Sequence, residues 1–445
     1  MIWSDKYPIL LFFLLLLMSS FSHGQYKLTL KKAIQIAVEK NIEVEKAEND
    51  FKLENKRKLR SYSELFPTFF VTGSGNRSTG RNFDQVAGEV RTESGNFANA
   101  ALRTNWDISN LLNSIAKLKA SKHNSLSKLW GLENAKDFAI LEVARNYFEI
   151  LQNTEQREIF VSSIEAQEKN LESTEEQVTL GLRTKQDFYT QKAELSNLKS
   201  MLLQTENLIS NGKSELIGLL RLEVTKDIEL DFEFSEIEFD SSLGSKTTSE
   251  LYEQALLHRN SIKSSEEDVK AKRNLLRQNR GLYYPSVSLF YNYGTNFSSF
   301  QEGDFRQQFF TDNITQVLGF SVNIPIFNGM QTRTSVIEAK ITYENAVLDY
   351  ESLKNKTFVE INNINNTIKA NLQERTYRTD QQEASRIAFD LEQQKYDLGA
   401  GTPVTLAIAQ RDYIEAQLLL NQAKYQLKYN QYELNFFCGT IQEKM

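Results

Sequence analysis

Proline, cysteine and histidine are scarce in this 445-residue chain, and each scarcity excludes something. The five prolines are Pro8, Pro67, Pro285, Pro325 and Pro403, so residues 68–284 and 326–402 contain none. Proline costs about 3 kcal/mol inside a helix, and spans free of it can hold very long helices. This distribution favours an elongated chain over the two or three globular domains that the length alone suggests. The single cysteine, Cys438, has no partner for an intrachain disulfide, and its place in the apolar run 434–438 suits core packing. The three histidines, His23, His123 and His258, are solitary and suggest no metal site; helix surface is the expectation for the last two. There is no glycine-rich phosphate loop after a strand and no nucleophile motif, and the carboxylates are spread along helical stretches as surface charge. Catalysis, cofactor and metal are therefore not expected. A net charge of -6 gives no reason to expect nucleic acid, and the basic cluster Lys56-Arg57-Lys58-Leu59-Arg60 reads as a solvated helix face.

Long apolar runs are also few. The run Ile9 to Met18 is ten residues, against about 20 needed to cross a bilayer. With Lys6 ahead of it and small residues at 19–24, it reads as an export signal over residues 1–24, cleaved near Gly24/Gln25. No later run approaches membrane-helix length, so an exported chain of this kind either stays in water or enters a membrane as β-strands.

What is present is a duplication. Gly181 and Gly399, Pro67 and Pro285, and Asn105 and Asn323 are three pairs of different character, each separated by 218 residues. The pattern divides the chain into a first repeat (25–220), a connector (221–248), a second repeat (249–440) and a short tail (441–445). Residues 28–64 read as one helix with an apolar stripe through Leu30, Ala33, Ile34, Ala37 and Val38, and 251–281 answers it. Aligning Asn41 with Asn260 implies one residue gained there and lost again before the proline.

The period then changes from 3.6 to 2. Val287, Leu289, Tyr291 and Tyr293 alternate with Ser286, Ser288, Phe290 and Asn292, and Leu318, Phe320, Val322 and Ile324 alternate with Gly319, Ser321 and Asn323. In the first repeat, Leu102, Trp106 and Ile108 alternate with Asn99, Arg103, Asn105 and Asp107, and residues 67–73 form a partner strand. Polar loops are expected at 74–96 and roughly 297–313, and turns at Ser109-Asn110 and Asn328-Gly329. Strands that are apolar on one face and polar on the other suit a membrane barrel wall with a wet lumen, and equally a soluble sandwich.

Helical pattern follows over 111–180 and 330–398, each roughly 100 Å if continuous at about 1.5 Å per residue. The second carries a seam at Val336, Ala339, Tyr343, Ala346, Tyr350, Leu353, Thr357, Ile361, Ile364 and Ile368, but residues 362–366 are too polar for a dry core. After the turns at Gly181 and Gly399, shorter helices return over 187–220 and 405–437. The connector is acidic and β-leaning. Each repeat thus supplies two strands. Four strands cannot close a barrel, whose minimum is about eight, so membrane strands of this kind would need several copies around one wall.

The element order, the repeat starts Leu28-Thr29-Leu30-Lys31-Lys32-Ala33 and Ser249-Glu250-Leu251-Tyr252-Glu253-Gln254-Ala255, Phe66-Pro67 and Tyr284-Pro285, the strand end 324–329 and Tyr396-Asp397-Leu398-Gly399 with Leu406 and Ala409-Gln410 resemble the TolC family of outer-membrane efflux proteins. The resemblance covers residues 28–440. It implies a mixed fold, a membrane β-barrel of twelve strands completed by trimerisation and a coiled-coil helical barrel of twelve helices. It also implies a place in the outer membrane with a periplasmic tunnel, and work as the passive exit duct of a tripartite efflux or type I secretion system. The partners it implies are outer-membrane lipid, a periplasmic adaptor and, through that adaptor, an inner-membrane pump that selects the cargo.

Site residues carried over from that resemblance are the tip segments Gly181, Leu182, Arg183 and Thr184 and Gly399, Ala400, Gly401 and Thr402, as adaptor-docking candidates. In the best-known members aspartates six and nine residues past the second tip glycine narrow the entrance; here those positions are Thr405 and Ile408, so the acidic ring is absent. Asp187, six residues past Gly181, is the remaining entrance candidate beside Thr405, with helix N-cap as its structural alternative. Asn99, Arg103, Asn105 and Asn323 are expected on the lumen side of the strands. The competing reading is an exported soluble coiled-coil structural or adhesive protein whose strands form a small water-soluble domain.

Overall fold

A computed structural model of the chain describes residues 26–84, 88–108, 111–223, 228–231 and 246–444. The export signal, the Ser109-Asn110 turn and most of the connector lie outside these residues. In chain order the elements are β1 (Tyr26–Leu28), α1 (Leu30–Lys40), α2 (Ile42–Ser63), β2 (Thr68–Asp84), β3 (Glu89–Asp107), α3 (Leu111–Thr179), α4 (Lys185–Leu220), β4 (Ile228–Leu230), α5 (Thr248–His258), α6 (Asn260–Arg280), β5 (Ser286–Ser298), β6 (Thr315–Asn323), α7 (Gln331–Asp397) and α8 (Pro403–Cys438). No helix among the described residues is long and apolar enough to cross a membrane.

The 218-residue offset holds closely. Adding it to the bounds of α1 gives those of α5, and adding it to those of α4 gives those of α8. The N-caps Thr29 and Thr247 and the left-handed C-caps Arg221 and Gly439 repeat at the same offset. The first helix of each repeat is not one helix but two, which corrects the reading of 28–64. The breaks fall at Asn41 and Arg259, both extended, and 41 plus 218 is 259. The Asn41 to Asn260 alignment therefore needed no gain or loss of a residue; the equivalent of Asn41 is Arg259. The two residues hold the break differently. The Asn41 side-chain oxygen accepts from the backbone N–H of Glu43 at 2.8 Å. Arg259, 7% exposed, donates to Thr357 Oγ1 at 2.9 Å and Glu360 Oε2 at 2.7 Å beside the rings of Phe436 and Phe437.

The molecule divides into two compact units, each built from both repeats. The first comprises Met1–Lys46, Asn134–Arg259 and Thr357–Met445; the second comprises Ala47–Glu133 and Asn260–Lys356. In the first unit β1 pairs in parallel with β4, and Leu28, Leu30, Ile140, Tyr147, Leu216 and Ile228 centre its main core. The Tyr147 hydroxyl lies 3.0 Å from the Leu28 carbonyl oxygen and 3.1 Å from that of Asp231, so its one proton is shared between them. Burial, reinforced by the Asp231 carboxylate, pushes its phenol up to about 12 and keeps it a donor. A second core joins Leu251, Ile361, Ile364, Ile368, Leu434 and Cys438. Cys438 is 3% exposed and burial pushes its thiol up to about 11, as expected of a packing cysteine. The α7 seam is as anticipated: Ala339, Ala346, Thr357, Ile361, Ile364 and Ile368 are buried, with Val336, Tyr343, Tyr350 and Leu353 half-buried.

The second unit holds one antiparallel sheet of order β2-β3-β5-β6. Its first hairpin is much longer than the sequence suggests: 74–84 and 89–96, expected as loop, are strand. Gly73, Gly75, Gly80, Gly88 and Gly95 misled, since glycine marks turns on average but also occupies strands where side chains are not needed. Near the other end of the unit His123 is not solitary. Its Nδ1 lies 2.7 Å from Glu267, which Lys270 also contacts at 2.7 Å. Burial raises the Glu267 carboxyl, but these hydrogen bonds outweigh it and leave it below the usual carboxylate range.

Gly439 has φ 75°, and a Cβ there would overlap the backbone of His258 and Arg259. Left-handed backbone costs a non-glycine residue about 1–2 kcal/mol, and the overlap adds to it. Gly439→Ala is expected to lower the thermal midpoint of the helical signal by several degrees in detergent, whereas Gly218→Ala, with open space around its Cβ, should raise or preserve it.

Candidate functional site

The candidate site residues fall into two groups, one in each unit. In the sheet, directly paired residues share a face. The register aligns Thr68, Asn105, Phe290 and Gly319 in one row, Phe70, Arg103, Asn292 and Val317 in the next, and Ser74, Asn99 and Asn296 further along. Asn323, paired with Ser286, is on the same face. Asn99, Arg103, Asn105 and Asn323 are thus brought to a single, mainly polar surface. It carries an open hollow of about 540 Å³ lined by Thr72, Ser74, Asn99, Arg103, Asn296 and Asn313 among others.

The opposite face is mainly apolar over six rows, from Ile108, Val287 and Val322 through Trp106, Leu289 and Phe320, then Phe69, Tyr291 and Leu318, to Gly75, Ala98 and Phe297, with Thr104, Gln316 and Thr295 its polar residues. Val71 is 82% exposed and Phe320 72%, so nothing among the described residues covers it. The sheet is also open: β2 pairs only with β3 and β6 only with β5. Beyond the Phe297 row a cluster of Phe305, Phe309 and Phe310 packs edge-on and stacked, with Phe305 5.1 Å from Phe297. At the other end Phe66, Tyr284, Ile326 and Phe327 are exposed.

The helix-turn tips form the second group. At the first tip Gly181 has φ 73° and the Leu182 N–H donates to the Gln177 carbonyl at 2.8 Å; at the second Gly399 has φ 76° and the Ala400 and Gly401 N–H groups donate to the Lys395 carbonyl at 2.9 Å. Glycine is what lets the helix stop on a left-handed residue. Leu182, Thr184, Ala400 and Thr402 are exposed, Arg183 is half-buried and Gly401 is buried. Thr184 and Thr402 are the N-caps of α4 and α8, each in a capping box with the residue three later, Asp187 and Thr405. The returning helices therefore start two residues earlier than expected, at Lys185 and Pro403, and Asp187 is the acceptor of the box rather than the cap itself. Its Oδ2 accepts from the Thr184 N–H at 3.0 Å and from the hydroxyl at 2.9 Å. The Thr405 hydroxyl, with Lys395, also holds the Glu392 carboxyl below its ordinary range.

The tips are joined to one another. The Arg183 guanidinium stacks 4.3 Å from the centre of the Tyr396 ring, and the Tyr396 hydroxyl pairs with Thr174 Oγ1. Gln167 donates to the Gln191 carbonyl at 3.0 Å, Asn170 pairs with Gln393, and Gln191 donates to the Pro403 carbonyl at 3.4 Å. Sequence reasoning did not single out this buried polar set. The available signal was the spacing of Gln167, Asn170, Thr174 and Gln177, polar residues at core-type steps of three and four along α3. Among the described residues no group of three or more His, Cys, Asp or Glu could hold a metal ion.

Gly399→Ala should cost about 1 kcal/mol through its left-handed backbone. A Cβ on Gly401 would meet the Tyr396 nitrogen at 2.9 Å, so Gly401→Ala is expected to cost more and to speed amide exchange over residues 393–402.

Residues 251–440 match the family model described as outer membrane efflux protein. The outer membrane protein TolC of Vibrio cholerae is 24% identical over 309 residues, 68% of each chain. A probable efflux pump outer membrane protein, TtgC of Pseudomonas putida, is 20% identical over 80% of this chain and 72% of its own. The CmeC outer membrane channel of Campylobacter jejuni superposes with a TM-score of 0.80 at 19% identity over 93% of this chain and 86% of its own, and VceC of Vibrio cholerae with 0.81 at 17% over 92% and 96%. The chain is thus similar to the outer membrane efflux proteins over residues 251–440, and its fold is that of the solved outer-membrane channels of Campylobacter jejuni and Vibrio cholerae.

Proposed function

We propose that this protein is the outer-membrane exit duct of a tripartite efflux or secretion system, a passive conduit formed by three copies. The observation that carries the reading is the open four-stranded sheet with one bare apolar face. Three copies joining β2 to β6 of a neighbour would make twelve strands and leave no unpaired edge. Six apolar rows are five steps of two residues, or roughly 34 Å along the strands at about 3.4 Å per residue. A tilt of about 45° reduces this to roughly 24 Å, close to the apolar band of about 25 Å on outer-membrane barrels. The aromatic residues at both ends sit where such a band meets its interfaces. A water-soluble sandwich would have to bury that face, and nothing among the described residues does so.

In this reading Asn99, Arg103, Asn105 and Asn323 line the lumen, and α3, α4, α7 and α8 supply the periplasmic tunnel. The tip segments 181–184 and 399–402 receive the adaptor and, through it, the inner-membrane pump. Their exposed Leu182 and Ala400, on turns held rigid by capping boxes, are the surfaces an adaptor could grip. Asp187 faces the entrance only in part, its carboxylate being committed to the cap.

Extraction should require detergent, and the extracted protein should run as a trimer and conduct ions in planar bilayers once the tips are loosened by Arg183→Ala and Tyr396→Phe. A buffer-soluble monomer would sink the proposal. Leu318→Arg in the middle of the belt should cost about 2–4 kcal/mol of stability in vesicles, while Val317→Asn next to it, on the polar face, should be near neutral. Arg103→Glu should move the reversal potential in a salt gradient towards cation preference.

A further inference from the structure

Above the apolar belt the β2-β3 hairpin continues as a two-stranded ribbon that β5 and β6 do not reach, since the last paired row of β3 with β5 is Phe97 and Ser298. On the face that continues the belt, the next rows after Gly75 and Ala98 are Arg77 with Asn96, Thr79 with Ser94, Arg81 with Thr92 and Phe83 with Val90. Arg77 is the first charged residue on this face and Arg81 follows four residues later, both exposed. No carboxylate stands opposite either one: the ladder partners are Asn96 and Thr92. The acids of the ribbon, Asp84, Glu89 and Glu93, are in register on the other face. Arg77 and Arg81 are therefore on the outward side, at one and three rows beyond the end of the apolar band and in register with no carboxylate, while the ribbon's acids and its third arginine, Arg91, are in register on the inward side.

A single strand step of two residues is about 6.8 Å, so Arg77 sits within one headgroup depth of the Phe297 aromatic row and Arg81 about 14 Å further along the strand. Guanidinium groups bind phosphate oxygens bidentately and with charge assistance. Resting on the outer-membrane reading above, we propose that Arg77 and Arg81 bind the phosphate groups of an outer-leaflet lipid, so that three such pairs ring the barrel and tie it to a phosphorylated lipid. The apolar rows below take the acyl chains of the same molecule, with exposed Phe83 and Val90 flanking the headgroup from above.

The test is lipid retention by the full-length protein reconstituted into phosphatidylcholine vesicles containing diphosphorylated lipid A, then extracted in mild detergent and weighed by native mass spectrometry. Wild type should retain lipid A, and the Arg77→Gln/Arg81→Gln double variant should retain at least roughly ten-fold less, with trimer assembly intact. The Lys variants, which keep charge but lose the fork, should fall between. Dephosphorylated lipid A should be retained poorly by both proteins. Equal retention by wild type and the Gln variant, equal retention of the dephosphorylated lipid, or displacement by inorganic phosphate at the same concentration as the lipid would each overturn the proposal. Failure of wild type to insert into any vesicle would overturn the outer-membrane reading and this proposal with it, whereas insertion with unselective retention overturns this proposal alone.

Discussion

Everything in the second unit depends on an edge that the chain cannot close by itself. A β-sheet satisfies its backbone groups only where a neighbour is present, and β2 and β6 each lack one on their outer side. In water such edges are merely a hazard of aggregation, but in hydrocarbon each unpaired group costs several kcal/mol. The sheet's apolar face makes water the worse solvent for it, and its edges make lipid the worse solvent for an isolated protomer. On the exit-duct proposal, assembly removes both penalties at once, which makes insertion and oligomerisation a single problem.

The helical unit solves a related problem with different residues. Buried Gln167, Asn170, Thr174, Gln191, Gln410 and Asn421 sit at positions where an ordinary coiled coil would place leucine. Each is hydrogen-bonded across helices or to a backbone carbonyl: Asn421 donates to the Gln152 carbonyl at 2.9 Å, and Gln410 to that of Ser163 at 3.5 Å. A bond of this kind contributes a net 0.5–1.5 kcal/mol or so, less than a well-buried leucine, but a mismatched pair leaves a buried group unsatisfied at about 1–3 kcal/mol. Leucine seams tolerate a slip of one turn; amide ladders do not. Helices of 69 and 67 residues have many registers to choose from, and these bonds favour the one observed, although the side-chain oxygens of Gln167, Gln410 and Asn421 are buried in it without a hydrogen-bond partner.

Much of the architecture was legible in the residues. Proline-free spans announced the long helices, the 218-residue offset announced the duplication, and alternation from Val287 to Tyr293 and Leu318 to Val322 identified the apolar face that the register assembles. What escaped was governed by partners distant in sequence. The break at Asn41 looks like ordinary helix, because Asn41 caps it with a side chain that also suits a helix surface. At its counterpart Arg259 nothing local signals a break, since the support comes from Thr357 and Glu360 about a hundred residues away. The hairpin strands 74–84 and 89–96 were hidden by glycines and charges, for a ribbon wet on one or both faces has no apolar alternation to reveal it. The turns at Gly181 and Gly399 were legible in their glycines, but the stacking of Arg183 on Tyr396 joins two repeats and has no sequence signature of its own.

The two capping boxes separate what the turn demands of its residues from what it leaves free. Positions 187 and 405 are equivalent by the 218-residue offset, and both close the same box on a threonine N-cap. The fold needs only a short side chain with an acceptor oxygen there, and Asp and Thr both provide one: Asp187 Oδ2 takes the Thr184 N–H at 3.0 Å, and Thr405 Oγ1 takes that of Thr402 at 3.3 Å. An aspartate is the better acceptor and interacts favourably with the helix N-terminus, worth about 0.3–1 kcal/mol at an exposed site. A threonine gives up that advantage but brings no charge to the tip. The local structure therefore stays the same whichever residue stands there, while the electrostatics of the tip changes by a full unit. Because the box closes with either residue, the charge at this position is set independently of the backbone of the turn.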